Sequence, residues 1–160
     1  MLARTSLACR LARGHRPVIA VLDTGMGLTA SLPAGTHVVA AKSFVGADPW
    51  EDRTGSGSRI AAAVAQSVAG RWTPAGPSEV ALVIVQVATD GRPTREALAA
   101  AARWLADTDL VIDAVALRDA TAAEEEEPWS RRLARDGIRL HGRFLPSDAS
   151  RVAEAHALAA

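Results

Sequence analysis

The chain has no tyrosine, one cysteine, one lysine and only 4% aromatic residues. A lone thiol, Cys9, makes neither an internal disulfide nor a multi-thiolate metal site, so a disulfide scaffold and a zinc ribbon are excluded and a cytoplasmic setting is the default. Aromatics are too few to interleave with basic residues as a stacking platform. With a formal net charge of +0 and a pI of about 6.9, there is also no electrostatic footprint for nucleic acid. Long apolar runs are missing as well. No stretch approaches the roughly 20 residues that a membrane-crossing helix needs, so no membrane partner is expected. No Walker lysine follows a glycine-rich turn and the dinucleotide glycine fingerprint is absent, so no cofactor and no metal are expected.

What remains is 160 residues, 49% hydrophobic and 22% charged, enough for one compact domain with a real core. Residues 1–16 carry Arg4, Arg10, Arg13 and Arg16 without an acid; their apolar part is too short and interrupted for a signal peptide, and they read as a flexible N-terminal segment. Residues 17–160 form the expected single domain. Lys42 is the only lysine against many arginines, and alanine is abundant, which fits the codon bias of a GC-rich bacterial genome.

Val18–Leu22, Val80–Val87 and Leu110–Leu117 are nearly continuous aliphatic runs, the pattern of strands buried on both faces of a parallel sheet. His37–Ala41 reads as a weaker strand near an edge. Helices are expected over Ser58–Ala69, Thr94–Ala106 (with Thr94 as N-cap), Trp129–Asp136 and Ala149–Leu158 (with Asp148 as cap). Alternating strands and helices predict an α/β fold with right-handed crossovers, in three layers: a mostly parallel sheet with helices on both faces.

Two blocks carry the candidate chemistry. Val18–Leu22 runs into Asp23-Thr24-Gly25-Met26-Gly27, and Asp52-Arg53-Thr54-Gly55-Ser56-Gly57-Ser58-Arg59 stands ahead of a helix. Taken alone, Asp-Thr-Gly is also an ordinary strand-closing turn. The Gly55–Ser58 run also reads as a plain loop with Ser58 as N-cap, or as a phosphate-binding helix start. The ordered set, together with the strand ending at Gln86, the Asp90-Gly91 turn, the helix with Arg103-Trp104-Leu105 and the Val111-Ile112-Asp113 segment, resembles the subtilisin-like serine peptidases over roughly Pro17 to Pro146.

That resemblance implies a minimal subtilisin-like fold in which Asp23 is the triad aspartate and Ser56 stands where the catalytic histidine belongs. Pro146 or Ser147 stands where an oxyanion-hole asparagine is expected, and no Gly-Thr-Ser-x-Ala nucleophile motif is present up to Ala160. A base, an oxyanion donor and a nucleophile are thus all lacking. His15, His37, His141 and His156 fall outside the family's motif positions. Around Ala116–Asp119, larger residues replace the small edge of the primary specificity pocket. The strand from Ile138 alternates apolar and polar residues, as an edge strand would.

The resemblance therefore implies a catalytically inactive domain that binds a peptide or protein, in a homo- or hetero-oligomer whose other member is in one version an active peptidase. Its binding residues would be Gly25, Gly55, Gly57, Ser58, Arg59, Leu117 and Arg118. Two alternatives stand beside it. One is half of a split peptidase completed by a partner chain; the other is a repurposed enzyme with Asp23 as acid or base and Ser56, Ser58, Asp52 or Arg59 assisting. The acidic run Glu124–Glu127 reads as a solvated loop or as a docking patch.

Overall fold

The computed structural model describes residues 16–69, 72–73, 76–77, 79–90, 92–118, 133, 135, 137–141 and 146–158. The segment from 1 to 15, Glu124–Glu127, Asp119 and most of the helix expected over Trp129–Asp136 lie outside them.

Strands β1 (Val18–Asp23), β5 (Val80–Gln86) and β6 (Ala114–Arg118) are the three aliphatic runs, and they are buried almost throughout. Between β1 and β5 come β2 (Thr36–Ser43), helix α1 (Ser56–Ala69) and a two-stranded ribbon of β3 (Trp72–Thr73) and β4 (Gly76–Pro77). Helix α2 (Arg95–Asp107) joins β5 to β6, and β7 (Ile138–His141) and helix α3 (Pro146–Leu158) follow. Among the described residues the main sheet has five strands in the order β2-β5-β1-β6-β7. β2, β5, β1 and β6 are parallel, whereas β7 runs antiparallel to β6. Because β7 returns antiparallel, Ile138 sits opposite Arg118, so the chain between them leaves and re-enters the sheet at its carboxyl edge.

Alternation of side chains sorts the core into two halves. Ile19, Val21, Leu82, Ile84, Ala114 and Ala116 face α1 through Ile60, Val64 and Val68. Ala20, Leu22, Val83, Val85, Val115 and Leu117 face α2 through Leu98 and Ala101, and α3 through Ala149 and Val152. This is the expected three-layer α/β arrangement. The edge strand β2 alternates half-buried with exposed positions, as the weaker sequence pattern predicts.

The structure corrects the expected crossovers. β2 to β5 through α1 and β5 to β6 through α2 both step the same way across the sheet, yet their helices lie on opposite faces, so they have opposite hands. The passage from β1 to β2 crosses the α1 face in the reverse direction, with Met26, Ala30 and Leu32 packed there, and shares the hand of the α2 crossover. Since parallel crossovers are overwhelmingly right-handed, the β2-α1-β5 unit is the left-handed one.

Three boundaries also move. β6 starts at Ala114 rather than Leu110: Leu110 and Ile112 pack against the α2 side, Val111 is exposed, and pairing with β1 opens where Asp113 bonds both the Val18 N–H and the Val18 carbonyl. α1 starts two residues before Ser58, and α3 starts at Pro146 rather than after a cap at Asp148. A proline in the first turn is compatible with a helix start because its missing N–H would have no intrahelical partner there.

Thr94 behaves as the sequence predicts. Its extended backbone precedes α2 and its hydroxyl accepts the Ala97 N–H at 3.1 Å. Thr94→Ala is expected to cost about 1 kcal/mol; an unchanged urea midpoint would show that this cap contributes nothing.

Candidate functional site

The apolar face towards α1 ends at the carboxyl edge of the sheet in a row of polar residues. Ser43 pairs with Gln86 and Gln86 with Asp23; Arg118 comes one step after Leu117, which pairs with Leu22. Such an edge is where open α/β sheets place their ligand crevice. Asp23 is 7% exposed, Ser56 5% and Gln86 2%, so the row is interior polarity that needs partners.

The first set of partners is the turn after β1. Asp23 Oδ1 accepts the Thr24 N–H at 2.8 Å and lies 3.0 Å from the Thr24 hydroxyl. The Gln86 amide donates to the carbonyls of Thr24 (3.0 Å) and Glu51 (3.1 Å), and the Met26 N–H donates to the Pro49 carbonyl at 2.9 Å. Gln86 therefore stitches the turn to the 48–52 loop, a role the strand pattern did not reveal. Its own Oε1 is buried and has no partner among the described residues.

Asp52 organises the start of α1. Its Oδ2 accepts the Ser58 N–H (2.7 Å) and the Ser58 hydroxyl (2.6 Å), while Oδ1 accepts the Gly55 N–H (2.9 Å) and lies 2.7 Å from the Thr24 hydroxyl. Burial opposes ionisation of this carboxyl, but the bonds from Ser58, Thr24 and Gly55 outweigh it and hold Asp52 below its ordinary value of 3.8. The cap is thus Asp52, and Ser58 is a residue of the first turn that also accepts the Gly27 N–H at 3.1 Å.

Every N–H at this helix start has an acceptor. Ser56 donates to the Thr54 hydroxyl, Gly57 to the Thr24 hydroxyl, Ser58 to Asp52 and Arg59 to the Gly55 carbonyl. A phosphate would find no N–H donor left here, so the phosphate-binding reading of Gly55–Ser58 loses its physical basis.

Ser56 and Arg118, which the sequence leaves in separate blocks, meet: the Arg118 guanidinium donates to Ser56 Oγ at 2.8 Å. On the α2 and α3 side of the same sheet edge a small pocket, with room for about one water molecule, is lined by Leu22, Val87, Leu98, Leu117 and Val152 and also touches Asp23 and Arg118. Leu117 is buried in its floor, whereas Arg118 and Arg59 are exposed. Gly25 and Gly57 bring the turn and the helix together, Gly25 with φ of 96°. Gly55 turns the chain into α1 with φ of 71°.

No described histidine stands near Asp23. His37 pairs with Ala81 and His141 with Val115, both towards the amino edge of the parallel strands. His15 and the side chains of His141 and His156 lie outside the described residues. Among the described residues no group of three or more His, Cys, Asp or Glu could hold a metal, and no helix is long and apolar enough to cross a membrane. Compared with known proteins, the chain matches no family model, no curated protein and no solved structure.

Proposed function

We propose that this chain is a catalytically inactive, subtilisin-like binding domain that presents the carboxyl edge of its sheet to a peptide or a protein segment. The observation that carries the reading is the Ser56–Arg118 bond: the residue at the expected base position is a hydroxyl whose oxygen accepts from a guanidinium, a group that offers only donors and no basic lone pair. Asp23 supports it. A carboxylate that would orient a base instead fastens its own turn through Thr24.

Ancestry, in this reading, explains why Asp23, Gly25, Ser56 and Gly57 are assembled at all, and the loss of the base explains why they no longer cut. The partner is a peptide or a protein, including an active peptidase, in a homo- or hetero-oligomer; a cytoplasmic setting fits the single cysteine. This rests on analogy of fold and motif.

The test pairs turnover with binding. Incubated with a fluorogenic peptide library, the protein is expected to release no product, while amide NMR signals of Gly25, Ser56 and Arg118 shift as peptides of about ten residues are titrated in. Turnover abolished by Asp23→Asn would establish the repurposed-enzyme alternative in its place. Peptides that move no signal at this edge would remove the binding reading.

A further inference from the structure

The Thr24 hydroxyl has more acceptors around it than it has hydrogens. Thr24 is buried, and its oxygen has four polar neighbours. The Gly57 N–H donates to it at 3.1 Å, and Thr54 Oγ1 lies 3.0 Å away. Two carboxylate oxygens stand within bonding distance as well, Asp52 Oδ1 at 2.7 Å and Asp23 Oδ1 at 3.0 Å. A hydroxyl offers one hydrogen and two lone pairs. Gly57 occupies one lone pair, so the single hydrogen serves one carboxylate at a time.

Two arrangements satisfy the same heavy-atom positions. In the first, Thr24 donates to Asp52 over the shorter distance and Thr54 donates to Thr24. In the second, Thr24 donates to Asp23, and Thr54 can turn its hydrogen across 3.3 Å to Asp52 Oδ1. Passing between them takes only rotation of hydroxyls about their C–O bonds. Asp23 keeps the Thr24 N–H in both, and Asp52 keeps its bonds from Gly55 and Ser58. Charge decides between the two, because an ionised carboxylate accepts roughly twice as strongly as a neutral group.

The other charged groups described around this knot leave that choice to the aspartates. Arg118 from β6 donates to Ser56, and Arg59 of α1 brings Nη1 to 3.5 Å from where a Gly55 Cβ would lie. Both stay cationic at any ordinary pH. On the 48–53 loop, the Asp48 carboxylate accepts the Trp50 N–H, and the exposed Glu51 pairs with Arg53 at 3.4 Å. Gln86, the polar neighbour on β5, carries no charge.

We infer that the Thr24 hydroxyl is a two-position switch between Asp23 at the carboxyl edge of the sheet and Asp52 at the α1 cap. Its hydrogen rests on Asp52 while both are ionised and passes to Asp23 when Asp52 is neutralised. Neutralising Asp23 instead, by acid or by a cation against Oδ2, holds the hydrogen on Asp52 and tightens the cap. By reciprocity, whatever neutralises the cap strengthens the bonding of Asp23. Each hydroxyl hydrogen stays on its own oxygen throughout. The switch stands whether or not the edge binds a peptide.

The Thr24 hydroxyl hydrogen is itself the probe, followed by proton NMR in the full chain at about pH 7, where both aspartates of the wild type are ionised. A shorter hydrogen bond deshields its hydrogen more. Asp52→Asn is therefore expected to move the resonance upfield, from the 2.7 Å contact to the 3.0 Å one, and to shift the Asp23 carboxyl carbon with it. Asp23→Asn should leave the resonance where it is in the wild type.

Thr24 serves as the control for plain electrostatic coupling between the two carboxyls. In a Thr24→Ser background, which keeps the hydroxyl, Asp52→Asn should still move the Asp23 carbon; in a Thr24→Val background most of that response should vanish. A hydroxyl resonance that ignores Asp52→Asn, one that follows Asp23→Asn, or an Asp23 response that survives Thr24→Val in full would each overturn the inference. If Thr24→Val does not fold, the two asparagine variants decide it without that background.

Discussion

Gly57→Ala should be the most damaging small substitution in this chain. A methyl group there would lie 1.9 Å from the Gly25 carbonyl oxygen and 3.1 Å from the Gly25 nitrogen, and both are backbone atoms that no rotamer change can move. The first turn of α1 rests directly on the turn after β1, and the Gly57 N–H donates to the Thr24 hydroxyl at 3.1 Å across the same contact. To admit the methyl group, helix and strand end must separate, and the cap and the Thr24 bonds loosen with them. A loss of about 3 kcal/mol or more is expected from overpacking at a site that cannot relax. Urea unfolding measures it, and a loss below about 1 kcal/mol would mean that the two backbones are not in contact.

Asp52→Ala is expected to be the next most costly, at about 2–3 kcal/mol, because it removes the charged acceptor of two backbone N–H groups and the Ser58 hydroxyl at once. Acid carries a matching signature. Since the folded-state value of Asp52 lies below its ordinary 3.8, the folded state binds this proton less readily than the unfolded chain. Its contribution is therefore complete above the ordinary value and disappears as pH falls through the lowered one. Urea midpoints of the wild type and Asp52→Asn, taken from about pH 6 to about pH 2, should converge at the acid end. A difference that stays constant over that range would show that the charge of Asp52 is not what matters.

Much of the frame could be read in advance because it depends on local pattern. Three nearly continuous aliphatic runs predicted three buried strands, the third of which forms only over its second half, and Thr94 before an apolar stripe predicted a capped helix. The site was half legible. That Asp23 and Ser56 belong to one site was implied only by the resemblance, and the bond from Arg118 to Ser56 spans 62 residues and depends on the registers of neighbouring strands.

Gln86 was missed for a related reason. A polar residue that closes an apolar strand looks the same in sequence whether it faces water or ties down a loop. Asp52 outranked Ser58 as the cap because the loop carries its carboxylate back over the first turn, where it takes several donors that a single serine hydroxyl could not serve. The antiparallel return of β7 left no trace in its own alternation, since an edge strand alternates in either direction.

The left-handed β2-α1-β5 unit has a bearing on descent. No succession of point substitutions can carry a helix from one face of a sheet to the other, because the chain would have to be rethreaded through its own strands. Handedness thus outlasts sequence similarity. A protein that shares ancestry with this one keeps the mirror-image unit however far its residues have drifted, and one that reached the same strand order independently would be expected to have the common hand. The subtilisin-like proposal can be judged by that criterion without a single aligned residue.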